Sequence, residues 1–344
     1  MVEQLLAKSE KHDVRQANLD PPPFRAGRIA AGLEEIWREV ERLDLVRNLA
    51  ELEAYGYTVI PPEKAAPPGF GARLLAGVLD CAEERWGVRL DPEQDFPTSG
   101  PTDVPDPQDW SNMLTRPTLY ANFPHIPRVY EEALTNPALL ALVTYLLGYQ
   151  CRLSSGFGAW IKGINPSDNF PLHIDGVRMS PAPAYADCCN AMYLLTDHTK
   201  RDGATCFVPG SHKLQRQPVP GEGMEDRVAV EAPAGSLVVW HGNTWHGAFP
   251  KLTHGLRVSM PLFFCRPHLK TFTEYHNVPR DMLARNPRRF AALLGQQEWR
   301  DYRKLEKGGS RLNKASDSDL SMEESAARSD MGVQLMRSTS FFGA

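Results

Sequence analysis

Past Gly148 the chain is broken into short β-like runs, and this punctuation limits the fold more than any other feature. From about 151 to 266 the runs "GFGAWIKGI", "PLHIDGV", "CCNAMYLL", "ATCFVPG", "RVAVEAP", "SLVVW", "NTWHGAF" and "LRVSMPLFF" are separated by Gly, Pro, Asn and Asp. Some eight candidate strands in about 115 residues, with turn residues between them, suit a sandwich or jelly roll. The fold class expected is mainly β with flanking helices (α+β).

Helical periodicity lies on both sides of this block. Ile29, Leu33, Ile36, Trp37 and Val40 recur at helical spacing, as do Leu74, Leu75, Val78, Leu79 and Trp86. In "YGYTVIPP" a glycine stop precedes a short β-rich run and a proline terminator. "TNPALLALVTYLLGY" predicts a helix with Asn136 as N-cap, Pro137 at its first position and Gly148 as its stop. Residues 91–127, rich in Pro, Asp and Ser, read as a long loop of the kind that forms lids or binding walls. "PRDMLARNPRRFAALL" and "EWRDYRKLEK" read as helices after the β block. The expected organisation is a flexible arm over 1–26 and one domain over 27–305, helical over 27–150, β over 151–266 and helical over 277–305. A mobile polar tail over 306–344 completes it.

A chain of 344 residues with 42% hydrophobic and 23% charged residues has ordinary globular composition. A net charge of −4 and scattered Lys and Arg give no basic stripe, so nucleic acid is not an expected partner. The six cysteines form no CxxC, and Cys188 and Cys189 would face opposite sides of a strand, so free buried thiols are expected. The N-terminus lacks the apolar core of a signal peptide, and no run approaches the roughly 18–20 apolar residues of a membrane span. A cytoplasmic protein without membrane contact is the expectation; oligomeric state is not readable.

Within "PLHIDGV", His173 and Asp175 are two residues apart. On a strand they project from one face while Ile174 packs the other way, so both could bind one metal. A third ligand could come from His241, His246 or His254 in "SLVVWHGNTWHGAFPKLTHGLRVSM". Arg257, eleven residues after His246, opens an apolar strand and needs a partner there. That partner is either a structural salt bridge or a substrate carboxylate, which guanidinium binds bidentately. Two His and one carboxylate form the facial triad of non-haem Fe(II), leaving open positions for a bidentate co-substrate and dioxygen.

With these residues the chain resembles the phytanoyl-CoA dioxygenase family of Fe(II)/2-oxoglutarate-dependent oxygenases. The likeness lies in "LHIDG", "MYLLTDHTKRDGATCFVPGSHK", "GSLVVWHGNTWHG" and "HGLRVSM", and covers about 150–266. It implies a double-stranded β-helix, a cupin-like jelly roll. It also implies iron ligands His173, Asp175 and His246, with Arg257 binding the far carboxylate of 2-oxoglutarate and Ser259 adding a hydroxyl. His246 is favoured by its following glycine and its spacing to Arg257. The chain departs from the family at Asp202 and Lys251, where Asn is common, and at Met192, where an aromatic is frequent. Those departures leave the triad intact but weaken the inference to a fatty-acyl-CoA substrate. Asp175 itself argues against halogenation, because related halogenases carry a small residue at this position.

Trp160, Lys162 and Asn190 are candidate pocket residues, and 91–127 and 176–187 candidate lids. "GFGARLLAG" is not a dinucleotide fingerprint and "PGSHK" is not a hydrolase elbow. The expected function is a dioxygenase that oxidises, most simply hydroxylates, a C–H bond of a small organic substrate, using Fe(II), 2-oxoglutarate and O2 and releasing succinate and CO2. A zinc hydrolase on the same ligands, or a non-catalytic jelly-roll binding protein, is the alternative.

Overall fold

The computed structural model describes residues 36–96, 118–120 and 126–296, apart from 157, 168–169, 177–180, 274 and 276–277. The expected arm and tail, the start of the first helix, most of the 91–127 loop and "EWRDYRKLEK" lie outside the described residues.

The chain first lays down helices. Residues 36–42 are helical, then come α1 (Val46–Tyr55), β1 (Tyr57–Ile60), α2 (Pro62–Ala65) and α3 (Phe70–Trp86). Gly56 ends α1 in the left-handed conformation, as the glycine stop predicted. β2 (Thr118–Tyr120) lies inside the stretch read as loop and pairs with β4, which corrects that reading. α4 (Arg128–Leu134) leads into α5 (Pro137–Leu147), where the Asn136 side chain accepts from Leu139 N and Gly148 forms the C-cap.

Nine strands follow: β3 (Arg152–Ser155), β4 (Gly158–Lys162), β5 (Phe170–His173), β6 (Cys188–Leu194), β7 (Thr205–Phe207), β8 (Val228–Ala229), β9 (Leu237–His241), β10 (His246–Ala248) and β11 (Arg257–Cys265). They divide between two antiparallel sheets. The larger runs β1-β9-β6-β11-β4-β2, with β3 also on β11; the smaller runs β5-β10-β7-β8. The chain crosses between them repeatedly, which makes the β core a jelly roll. The closing helical run is two short helices, α6 (Arg280–Arg285) and α7 (Arg288–Leu293), because Pro287 after Asn286 interrupts the pattern.

Alternation along the large sheet assigns it two tasks. Its outer face carries Val258, Met260, Leu262, Phe264, Ala191, Tyr193, Leu237 and Val239, all buried in one cluster with α1, α3, α4 and α5. Its inner face carries Met192, Leu194, Val238 and Trp240, which pack on Phe207 of the small sheet. Each such fully buried side chain contributes on the order of 1.5–3 kcal/mol. Met192, where the family often has an aromatic, is fully buried between the sheets.

β11 tolerates Pro261 at its centre for a positional reason. Its even residues face β6, with Val258 O accepting from Leu195 N, so its odd residues face β4 and β3. β4 pairs only with 257–259 and β3 only with 263–265, so the missing N–H falls in the gap between them. No disulfide forms among the six cysteines, and all but Cys81 are buried. Among the described residues no helix is long and apolar enough to cross a membrane.

Candidate metal centre

β5 and β10 are neighbours in the small sheet, and their register sets His246 directly opposite His173. Asp175 lies just past the end of β5, held by its backbone: the N–H groups of Asp175 and Gly176 both donate to Gly242 O, at 2.9 and 3.1 Å. The turn between β9 and β10 therefore fixes the carboxylate in place beside the two imidazoles. Asp175 Oδ2 lies 3.0 Å from His246 Nε2, and Asp175 Oδ1 lies 3.6 Å from His173 Nε2. The three ligand atoms lie within 4.8 Å of one another.

Hydrogen bonding selects which imidazole nitrogens face the centre. His173 Nδ1 donates to Pro171 O at 3.0 Å and His246 Nδ1 to Thr244 O at 2.9 Å. A carbonyl only accepts, so each Nδ1 carries the proton and each Nε2 presents a lone pair toward the carboxylate. Three acceptors that converge this closely offer a site for a cation, whether a proton on one Nε2 or a metal ion. Two imidazoles with backbone-fixed tautomers and one carboxylate are a donor set suited to a divalent transition metal.

Electrostatics agrees. Burial alone would raise the Asp175 carboxyl, but the His246 and His173 imidazoles outweigh it and hold the group well below the usual carboxylate range. Burial pulls His246 down, and the Asp175 carboxylate overrides this and raises it. Asn190 Nδ2 donates to Asp175 Oδ2 at 2.6 Å, so this sequence-predicted residue touches the carboxylate itself.

Arg257 and Ser259 sit on the inner face of β11, where they are buried. Arg257 Nη1 donates to Gly203 O at 2.7 Å. Gly203 has a φ of 76°, and a Cβ there would lie 3.0 Å from Lys251 N and Phe249 O, so this turn requires glycine. Ser259 Oγ is fully buried and has no hydrogen-bond partner among the described residues. Lys162 lies opposite Arg257 and donates Nζ to Phe249 O at 2.7 Å; Trp160 lies opposite Ser259 and is exposed.

The other two candidates for the third ligand, His241 and His254, do not join the cluster. His241 is buried on the outer side of the large sheet, 5.4 Å from His212 between ring centroids. His212 occupies a 3₁₀ turn and is buried. His254 is exposed and pairs with Asp95 at 2.7 Å. Two of the departures from the family pattern face each other: Lys251 Nζ lies 3.7 Å from Asp202 Oδ1, and both bond Thr253 Oγ1. Of the 176–187 segment, Ala182 donates to Gln215 O and Pro183 O accepts from Asn243 Nδ2, so this wall is fastened to its neighbours. The sequence reading had no signal for Gln217, Trp245, Gly242 or Asn243, which brace the ligand-bearing segments.

Residues 105–259 match the family model described as phytanoyl-CoA dioxygenase (PhyH). The matched segment, 155 of 344 residues, is a little under half of the chain. Within it lie all three residues of the metal cluster. Among curated proteins, the chain is 32% identical over 164 residues to dioxygenase af480 of Aspergillus fumigatus, covering 46% of this chain and 52% of that protein. It is 30% identical over 112 residues to the uncharacterized protein Rv1501 of Mycobacterium tuberculosis, covering 32% of this chain and 41% of that protein. The chain thus spans about half or less of the curated relatives it matches. Among solved structures, HygX from Streptomyces hygroscopicus with nickel and 2-oxoglutarate bound aligns with a TM-score of 0.48 at 20% identity, covering 66% of this chain and 88% of that one. The non-heme alpha ketoglutarate dependent carbocyclase SnoK aligns with a TM-score of 0.42 at 18% identity, covering 64% and 83%.

Proposed function

We propose that this chain is an Fe(II)- and 2-oxoglutarate-dependent dioxygenase that hydroxylates a C–H bond of a small organic substrate. The observation that carries the reading is the meeting of His173, Asp175 and His246 through three acceptor atoms on adjacent segments of the jelly roll. The family match supports the same reaction class.

In this reading His173 and His246 bind iron through Nε2 and Asp175 through a carboxylate oxygen, while Asn190 fixes the carboxylate rotamer. When bound, Fe(II) with 2-oxoglutarate and O2 supplies the oxidant, so that R–H becomes R–OH as 2-oxoglutarate becomes succinate and CO2. The Arg257 guanidinium pairs with the far carboxylate of the co-substrate, and the orphaned Ser259 hydroxyl donates to it. The fit is chemical: a buried hydroxyl without a partner beside a buried guanidinium suits a carboxylate better than an apolar group. Trp160, exposed beside Ser259, is then a substrate wall.

The test is anaerobic purification, addition of Fe(II) and 2-oxoglutarate, and measurement of succinate together with oxygen uptake, with and without a metabolite panel. Succinate above an Asp175→Ala control is expected. Succinate no higher than that control in every condition would refute the oxygenase. Calorimetry should show 2-oxoglutarate binding that Arg257→Ala abolishes while metal uptake persists.

A further inference from the structure

Ile174 separates His173, the last residue of β5, from Asp175, and its peptide groups are claimed by a residue far along the chain. The Gln217 carboxamide accepts from Ile174 N at 3.1 Å through Oε1 and donates from Nε2 to Ile174 O at 3.4 Å. It thereby supplies, with one side chain, the pair of bonds that a neighbouring strand would give, at the point where β5 ends. The Ile174 side chain points the other way and packs on Trp245, Val208 and Ala182.

The loop that carries Gln217 also holds the other histidine's segment. Trp245, next to His246, donates Nε1 to Arg216 O at 2.7 Å. The Arg216 guanidinium lies 5.0 Å over the Trp245 ring and forms two bonds to Glu222, at 2.7 and 2.6 Å. Glu222 in turn accepts from Val219 N at 3.0 Å, closing the loop on itself. Gln215 enters the loop with a φ of 53°, a left-handed conformation rare for a side chain of this kind, and its carbonyl accepts from Ala182 N.

We propose that Gln217 is a positioning residue for the metal centre, and that the loop 215–222 is a clamp joining the His173–Asp175 segment to the Trp245–His246 segment. The inference rests on the proposed metal site. Gln217 touches no ligand atom and acts through the Ile174 backbone, which sets the direction of both neighbouring side chains. Groups that hydrogen-bond a ligand directly typically change metal affinity 10- to 100-fold when removed, and Gln217, one peptide away, is placed at the lower end of that range.

The experiment is Co(II) titration of the full chain, followed by calorimetry and by the d–d absorption of the bound ion, for wild type, Gln217→Met, Gln217→Asn and Asp175→Ala. Gln217→Met keeps the side-chain length and removes both bonds; Gln217→Asn keeps the amide and loses its reach. Both are expected to bind Co(II) about 10-fold more weakly with an altered d–d spectrum, and the metal-free melting temperature falls by only the few degrees that two lost hydrogen bonds cost. A purely structural role would move the melting temperature and leave the spectrum of the loaded protein unchanged. Affinity within two-fold of wild type and an unaltered spectrum, in either variant that folds, overturns the proposal. A wild type that takes up no Co(II), or no more than Asp175→Ala, overturns the metal-site reading and this inference with it.

Discussion

Gly247 follows one candidate ligand and lies against the strand that carries the other. A Cβ there would sit 2.5 Å from Phe170 O and 3.1 Å from Pro171 O. The first distance is about 0.9 Å short of ordinary van der Waals contact. Both obstacles are backbone atoms, so no side-chain rotation relieves the overlap. Gly247→Ala must push β10 away from β5, and this is the strand pair that sets His246 opposite His173. Overpacking of this kind stores about 1–3 kcal/mol. Metal ligation tolerates only about 0.2 Å in ligand distance, so the bound state must restore the original spacing and meet that strain. At about 1.4 kcal/mol per tenfold, metal affinity should fall roughly 5- to 150-fold. Gly69→Ala is the matched control: its Cβ meets nothing within 4 Å, but its φ of 78° strains any side chain. The control should lower the melting temperature and leave Co(II) affinity unchanged. If Gly247→Ala lowers the melting temperature as the control does, yet binds Co(II) within two-fold of wild type, then β5–β10 spacing does not set the site.

Lys251→Asn and Asp202→Asn should each destabilise the fold, because each leaves a part-buried charge without its counterpart; the double variant should recover, and a double-mutant cycle should give a coupling of about 1 kcal/mol or more. Arg266→Ala should cost about 3 kcal/mol or more in denaturant unfolding, because Leu146 O, Leu147 O and Ala186 O all lose their donor. Acid should weaken the fold below about pH 6.5. Burial lowers His212 to about 4, with Lys213 adding to it, and lowers His241 to about 3, with His212 and Arg266 adding. The unfolded chain then binds protons that the native state refuses. The stability is present above the unfolded pKa and is lost as pH falls toward the folded values, by roughly 1.4 kcal/mol per pH unit for each histidine. Chemical denaturation from pH 7 to 4.5 tests this, and His241→Asn should flatten the slope.

The fold was legible because its signals are local. Asn136-Pro137 and Gly148 mark the ends of α5, and short apolar runs bounded by turn residues mark β6, β9 and β11, whose two faces meet two different cores. Strands too short to alternate, such as Thr118–Tyr120, gave no signal, and a proline-poor three-residue run inside a proline-rich stretch reads as loop. The triad was legible because a strand imposes period two on His173 and Asp175, and because the family resemblance chose among His241, His246 and His254. Geometry explains why the rejected two differ: His241 is on the opposite face of the large sheet and His254 is at the surface. Gln217 was illegible because its role depends on a bond across 43 residues, which no periodicity records. Asp202 and Lys251 looked like two separate departures, and only their contact shows that they belong together.

The seam between β5 and β10 rests on two residue pairs, His246 with His173 and Ala248 with Phe170, with a register irregularity between them. So thin a junction opens locally at far lower free energy than the nine-residue β11 at the centre of the other sheet. Whenever that seam opens in the metal-free protein the histidines part, and the affinity an experiment reads is the intrinsic one multiplied by the closed fraction. Anything that thickens the seam, whether a second ligand on the ion or a tighter 215–222 loop, raises apparent affinity without touching the metal. Titration curves of this protein therefore report the closed fraction of the small sheet together with the strength of the metal–ligand bonds.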